Sequence, residues 1–264
     1  MPEVHPLAQV AGRDGWRLTL PHSVGYARLI WLTRGHGQVM LDGLQHAASP
    51  NTAVFVPADT LCALTIAGPL FGTLMSIPPE AEIPLPTGAH RLRIPAAQGQ
   101  AELVGIFDAV TKEQQGRRDF HGQAIRAQAM LFSVWLRRAV LATPSPPPLR
   151  ADQRLTVGFA RALVRDYRSG QPMAAYASHL GVTPSHLTRA CKRASGQSAS
   201  ALLTGRVLHA ARSLLADTTH KSGQIANHLG FRSASHFTRF IQNQTGATPT
   251  KLRARTPRPP RPAA

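Results

Sequence analysis

Residues 174–200, AAYASHLGVTPSHLTRACKRASGQSAS, and residues 222–250, SGQIANHLGFRSASHFTRFIQNQTGATPT, are one design used twice. Arg189 and Arg239 lie 50 residues apart, as do Gly196 and Gly246, while Leu180 and Leu229 lie 49 apart because the second copy has one extra residue in its turn. Each copy reads as a short apolar helix with a small Ala on its packing face (Ala177, Ala226), then His-Leu-Gly, then a polar turn, then a second helix. That is the sequence form of a helix-turn-helix: Ala lets the two helices cross steeply, and Gly takes a backbone conformation that a Cβ would obstruct. One such match alone is weak, but two at a regular spacing are specific. The segment joining them, Ser198 to Ala216, spans 19 residues, or about 28 Å as a helix at 1.5 Å per residue. Successive major grooves on one face of B-DNA recur about every 34 Å, so a rod of this length suits two helices entering neighbouring grooves.

The charge is placed to match. Residues 1–149 carry 12 Lys/Arg against 10 Asp/Glu, a net of +2, whereas residues 150–264 carry 18 against 3, a net of +15 out of the total +17. A basic surface of this kind concentrates a polyanion and releases its counterions on contact, so nucleic acid is the leading partner. The two cysteines, Cys62 and Cys191, are too few for a disulfide framework and suit a reducing compartment. The N-terminus has no apolar core of a signal peptide and no stretch approaches 18 apolar residues, which points to a cytoplasmic protein with no membrane partner.

Outward from the repeat, the first half changes character. From about Arg17 to Ile94 short apolar segments (YARLIWLT, QVML, TAVFVP, LCALTIAG, LFGTLMSIP) alternate with Gly, Pro, Asn and Asp punctuation, predicting an antiparallel sandwich or small barrel. Leu41-Asp42-Gly43-Leu44 is a hairpin signal, because Asp-Gly tolerates the positive φ of a primed turn. Leu103, Phe107 and Val110, then Ile125, Ala129, Phe132 and Leu136, recur at helical spacing. Two such helices either cap the open side of the β domain or form a dimer seam. Thr143-Pro144-Ser145-Pro146-Pro147-Pro148 can neither continue a helix nor pair in a sheet and reads as a stiff linker. Beyond it, helices are expected at 173–180, 184–194, 199–216, 223–229 and 234–244, preceded by one in which Leu155, Phe159, Ala162 and Leu163 share a face. The expected organisation is α+β in two domains: a β domain over 1–98, a helical and dimerising segment over 99–142, a linker over 143–150, an all-α domain over 151–253 and a disordered basic tail over 254–264.

In a helix-turn-helix the N-terminal part of the second helix meets base edges while flanking cations and hydroxyls hold phosphates. The candidates in the first copy are Thr183, Ser185, His186, Thr188, Arg189, Lys192 and Arg193, because Leu187, Ala190 and Cys191 must face inward. In the second copy they are Ser233, Ala234, Ser235, His236, Thr238 and Arg239. Arg189 is the leading base reader, since its fork fits guanine O6 and N7; the alternative is that it positions the backbone. Lys192 and Arg193 are better placed for phosphate. His179, His186, His228 and His236 do not sit with cysteines at finger spacing, so no metal or other cofactor is expected.

Ile225-Ala226, Leu229-Gly230-Phe231, Ser235-His236-Phe237, Arg239 and Thr245-Gly246-Ala247-Thr248-Pro249 resemble the second helix-turn-helix signature of the AraC/XylS family of transcription regulators, and residues 174–202 resemble the first. The resemblance covers roughly residues 153–253. It departs from the common pattern at Cys191 and Ile241, which replace a Phe, and at Gln242, which replaces a basic residue. It implies a homodimer that binds double-stranded DNA, with RNA polymerase as a partner if transcription is activated. The stretches GYARLIWLTRGHGQVMLDG and TAVFVPADTLCALT resemble the cupin-like β-barrel effector domain of such regulators, with Arg34-Gly35-x-Gly37 and Val56-Pro57 the sharp matches. A small-molecule effector is thereby implied. Arg34 matches an arginine that contacts sugar in arabinose-type regulators and Trp31 offers a stacking face; the plainer alternative is that Arg34 caps a surface turn and Trp31 fills the core. His22, Tyr26 and His36 are further effector candidates. Two alternatives are a cupin-type metal enzyme with a basic appendage, against which stands the absence of any His-x-His pair, and a nonspecific architectural DNA binder.

Overall fold

The computed structural model describes residues 1–116 and 118–255. Its contacts divide the chain into two compact units, Met1–Thr19 with Ser23–Arg150, and Leu20–His22 with the chain from Ala151 onward.

The first unit opens with β1 (Glu3–Pro6) and two short helices, α1 (Leu7–Ala11) and α2 (Trp16–Thr19). The strands β2 (Ala27–Leu41), β3 (Leu44–Ala48), β4 (Thr52–Val56) and β5 (Cys62–Ile77) follow; then come a 3₁₀ turn (Pro79–Ala81) and β6 (His90–Arg93). The sheet is antiparallel, in the order β1-β5-β2-β4-β6, with β3 pairing β2 alongside β5. The β2–β3 connection is the expected two-residue hairpin: Leu41 pairs Leu44, and Asp42 and Gly43 take φ of 49° and 77°. Arg34-Gly35-His36-Gly37, however, does not end a strand. β2 runs on through it with register shifts against β5 on either side of Arg34, so the apparent punctuation is an irregularity inside one bent strand. Among the described residues β1 and β6, at the two ends of the sheet, do not pair, and the barrel is an open one.

Residues 27–32 are buried without a break because both faces of the sheet are covered. One face, with Ala27, Leu29, Trp31, Phe55 and Met75, packs on α3 (Ala97–Gly116) and α4 (His121–Ala142) through Leu103, Phe107, Val110, Ile125, Ala129, Phe132 and Leu136. The helical stripe foreseen in the sequence therefore caps the sheet. The other face, with Ile30, Leu32, Val54 and Val56, meets Val39, Leu41, Cys62 and Leu64 from the far halves of the same long strands. The remaining side of α4 leaves Met130, Leu131, Val134 and Leu141 exposed, with Val104 of α3. Thr143 caps α4 by donating its N–H to the Val140 carbonyl, and residues 144–150 follow as exposed chain without regular secondary structure.

The second unit is helical: α5 (Ala151–Asp166), α6 (Met173–His179), α7 (Pro184–Ser195), α8 (Ala199–Asp217), α9 (Ser222–His228), α10 (Ala234–Thr245) and α11 (Pro249–Arg255). The helix ends depart from the sequence expectation by one residue or so. α11 runs two residues into the expected tail, and residues 256–264 of that tail lie outside the described residues. Phe159 of α5 meets Tyr176 of α6 edge to face at 5.7 Å, and Ile225, Ala226, Leu229, Phe237 and Ile241 build the core of the second copy with Ala211 and Leu215 of α8. Seven consecutive residues of α8, Gly205 to Ala211, are buried, so the middle of this helix is enclosed on all sides.

Candidate nucleic-acid interface

The repeat is reproduced down to single hydrogen bonds. Thr183 and Ser233 cap α7 and α10, their hydroxyls accepting the amides of His186 and His236 at 3.2 and 3.1 Å. Pro184 occupies the first turn of α7, where its missing N–H costs nothing. Gly196 and Gly246 close the helices in the left-handed region, donating to the carbonyls of Lys192 and Gln242. Ser195 and Thr245 each donate to the carbonyl four residues back at 2.8 Å and accept the amide two residues on at 3.2 Å. Ser198 and Thr248 cap the next helices, accepting the amides of Ala201 and Lys251. These hydroxyl pairs extend the 50-residue period beyond the residues singled out in the sequence.

On both second helices the inward positions are closed and the outward ones open. Leu187, Ala190 and Cys191 are buried in α7, and Phe237 and Ile241 in α10. The substitutions Cys191 and Ile241 thus keep an apolar core position, and burial pushes the Cys191 thiol up to about 11. Thr183, Ser185, His186, Arg189, Lys192 and Arg193 are exposed and Thr188 is half-buried; Ser233, Ala234, Ser235, His236 and Arg239 are exposed and Thr238 is half-buried. Each predicted interface residue therefore lies on the open side of its helix or at its cap. A groove of about 560 Å³ runs along the first copy, lined by Ser178, Gly181, Val182, Thr183 and His186.

The two copies are not equivalent. The positions 50 residues beyond Lys192 and Arg193 are Gln242 and Asn243, so α10 lacks the cations that end α7. Arg193 is half committed already, its Nε 3.4 Å from a carboxylate oxygen of Asp152 on α5. In the second turn Phe231 sits at the centre of an aromatic cluster, 5.4 Å from the ring of His236, 5.3 Å from Phe237 and 5.2 Å from Phe240. Val182 is its counterpart in the first. Two exposed residues escaped the sequence reading. Ser178, in the last turn of α6, lies on the rim of the groove, and Arg232 is the extra residue of the second turn, immediately before the cap of α10. The signal for Arg232 is legible in the sequence, as a cation next to a helix N-terminus, the kind of place that suits an anion.

The expected effector residues do not converge. Trp31 is 2 % exposed and belongs to the core beneath α3 and α4. Arg34 is exposed, its guanidinium lying 5.6 Å from the ring of Phe71 on the surface of β5. Tyr26 and His36 are exposed as well. His22 is in the other unit altogether, buried with its ring stacked 4.6 Å from that of His209 on α8. The spacing of these residues on one bent strand and its approach brought them close in sequence without bringing them to one cavity.

A family model described as a helix-turn-helix domain matches residues 176–255. No curated protein sequence matches the chain. Among solved structures, it is similar to wild-type ToxT from Vibrio cholerae strain SCE256 with unsaturated fatty acid bound, at 13 % identity over 96 % of this chain and 94 % of that one, TM-score 0.46. It is also similar to the C-terminal domain of AraT, a response regulator from Geobacillus stearothermophilus, at 23 % identity over 44 % of this chain and 93 % of that one, TM-score 0.39. A third likeness is to the C-terminal domain of the response regulator yesN from Fusobacterium nucleatum, at 21 % identity over 36 % and 93 %, TM-score 0.35. The doubled helix-turn-helix described above fills the stretch, residues 176–255, that the helix-turn-helix domain model matches.

Proposed function

We propose that the chain is a sequence-specific transcription regulator in which α7 and α10 enter successive major grooves of one duplex, held apart by α8. The observation that carries this reading is the repetition of one polar, open helix face on two helices joined by a 19-residue helix, buried over Gly205–Ala211, in the basic half of the chain. In the first copy Arg189 reads a base and Lys192 holds phosphate; in the second, Arg239, Ser235 and His236 face the bases and Arg232 the backbone. A second copy of the chain docks on the outer face of α4, whose Met130, Leu131, Val134 and Leu141 have no partner in the sheet they cap. The first domain serves as the sensor for a small-molecule effector, on the strength of its resemblance alone, and RNA polymerase is the further partner if occupancy activates transcription.

Selection of bound sites from random duplex DNA with the full chain tests the reading. The result should be a defined site holding two short motifs about one helical turn apart, preferred over bulk DNA by a factor of roughly 10³ or more. Enrichment of no sequence at all, with binding that bulk DNA competes away, would identify an architectural binder instead.

A further inference from the structure

The loop between α5 and α6 touches the turn between α9 and α10 backbone to backbone. A Cβ built on Gly170 would lie 2.3 Å from the Gly230 carbonyl oxygen, and one built on Gly230 would lie 2.4 Å from the Arg168 carbonyl oxygen and 2.5 Å from the Gly170 amide nitrogen. No side chain fits between them. Both glycines are in the left-handed region, with φ of 66° and 75°. Gly181 holds the same place in the first turn as Gly230 does in the second, with a φ of 67°, yet a Cβ there meets nothing within 4 Å among the described residues.

The contact is held rigidly from both sides. On the first side the side chains of Ser169 and Gln171 lie beside the hydroxyl of Tyr176, in the core of the first copy, and the Ser169 hydroxyl accepts the Gln171 amide at 3.3 Å. Gly170 stands between those two residues. Just before the loop, Tyr167 leaves α5 to be buried in the core of the second copy, with the Arg206 guanidinium 3.6 Å from its ring. On the second side Gly230 is followed by Phe231, whose ring packs on three residues of α10. Gly170 comes three residues before α6 and Gly230 four before α10. The two helix-turn-helix copies are thus joined at two places, through α8 and through this contact. A rod alone leaves rotation about its axis open, whereas a second fixed point removes it.

We infer that Gly170 and Gly230 form a clasp that sets the register between the two reading helices, and so determines the spacing of the two motifs that one molecule accepts. The inference rests on the reading that both α7 and α10 enter the duplex. The glycines are positioning residues; neither need touch DNA.

The test measures binding of the full chain to its selected site and to versions with one base pair added or removed between the two motifs. One base pair moves the second motif by about 3.4 Å and turns it by about 35°. Wild type should prefer the native spacing by at least about tenfold, in line with the cost of a misplaced base contact. Gly170→Ala should cut that preference to within about threefold by forcing the turns apart. Gly181→Ala carries the same backbone strain without the collision, and should weaken all spacings alike while keeping the tenfold ratio. Tyr176→Phe keeps the core filled but removes the hydroxyl against which Ser169 and Gln171 lie, and should shift the ratio in the same direction as Gly170→Ala by a smaller factor. It keeps the test open should the glycine variant fail to fold. Equal loss at every spacing for Gly170→Ala together with an unchanged ratio for Tyr176→Phe would overturn the clasp, as would a Gly181→Ala variant that relaxes spacing to the same extent. A wild type indifferent to spacing would remove the two-reader model itself, and the clasp with it.

Discussion

Arg189 and Arg239 occupy the same step of two matching helices, but their neighbours differ. Arg189 stands before Lys192, which is exposed and available to phosphate, whereas Arg239 is followed by Gln242 and Asn243. Arg189→Ala is expected to cost about 1–3 kcal/mol on the selected site and to relax preference at one base pair. Lys192→Ala should weaken binding on all sequences alike and make the salt slope shallower by about 1, and Gln242→Lys should steepen it by a similar amount. Titrations of each variant at several salt concentrations separate the two roles; an equal loss on every sequence for Arg189→Ala would reassign it to the backbone. Cys191 makes a different claim, about stability. Its thiol is raised by burial from 9.0 to about 11, so the folded chain holds that proton more tightly than the unfolded chain. The stabilisation is complete below pH 9 and is lost as pH rises through 11. Denaturant unfolding of wild type should weaken over that window, and Cys191→Ala, though less stable at pH 8, should show a smaller further loss.

At the scale of elements, what the sequence makes legible follows from how local the signal is. The bounds of α6 to α10 are readable to within a residue or so because their start and stop signals sit beside them, Thr183 and Ser233 as caps and Gly196 and Gly246 as terminators, whereas α11 is a helix that the sequence reading does not foresee. Thr183→Ala should therefore cost about 1 kcal/mol of stability, a loss visible as a lower thermal midpoint. The strands were less legible. Arg34-Gly35-His36-Gly37 looks like a turn because its residues favour turns, and only pairing with the distant β5 keeps it inside a strand. The apolar faces of α3 and α4 were plain from their periodicity, but periodicity says that a face is buried and not what buries it; the sheet does. The effector candidates rest on a resemblance and on residue type, neither of which says which side chains share a cavity, and one of them, His22, is stacked on a helix more than 180 residues away. The Gly170–Gly230 contact lies outside the aligned part of the first copy, and nothing short of three dimensions reveals it.

At the scale of the molecule, two features set what one chain can do alone and what it does with another. The basic charge is confined to the unit that carries the repeat, so association with DNA is driven from that side. The exposed row of Met130, Leu131, Val134 and Leu141 on α4 lies on the near-neutral unit, where self-repulsion is small. If a second copy covers that row, sedimentation of the wild-type chain should show a dimer, and Val134→Asp should leave a monomer that still binds a single motif pair with the affinity of one chain. A monomeric wild type, or a dimer that survives Val134→Asp, would move the interface elsewhere.

The claim on which the rest depends is that one chain reaches two neighbouring major grooves. Methylation interference at guanine N7, performed with the full chain on its selected site, reads it directly. Two clusters of interfering guanines on one face of the duplex, about 10 base pairs apart for each bound chain, is the expected result. A single cluster per chain, or no interference at any guanine of a guanine-containing site, would contradict it.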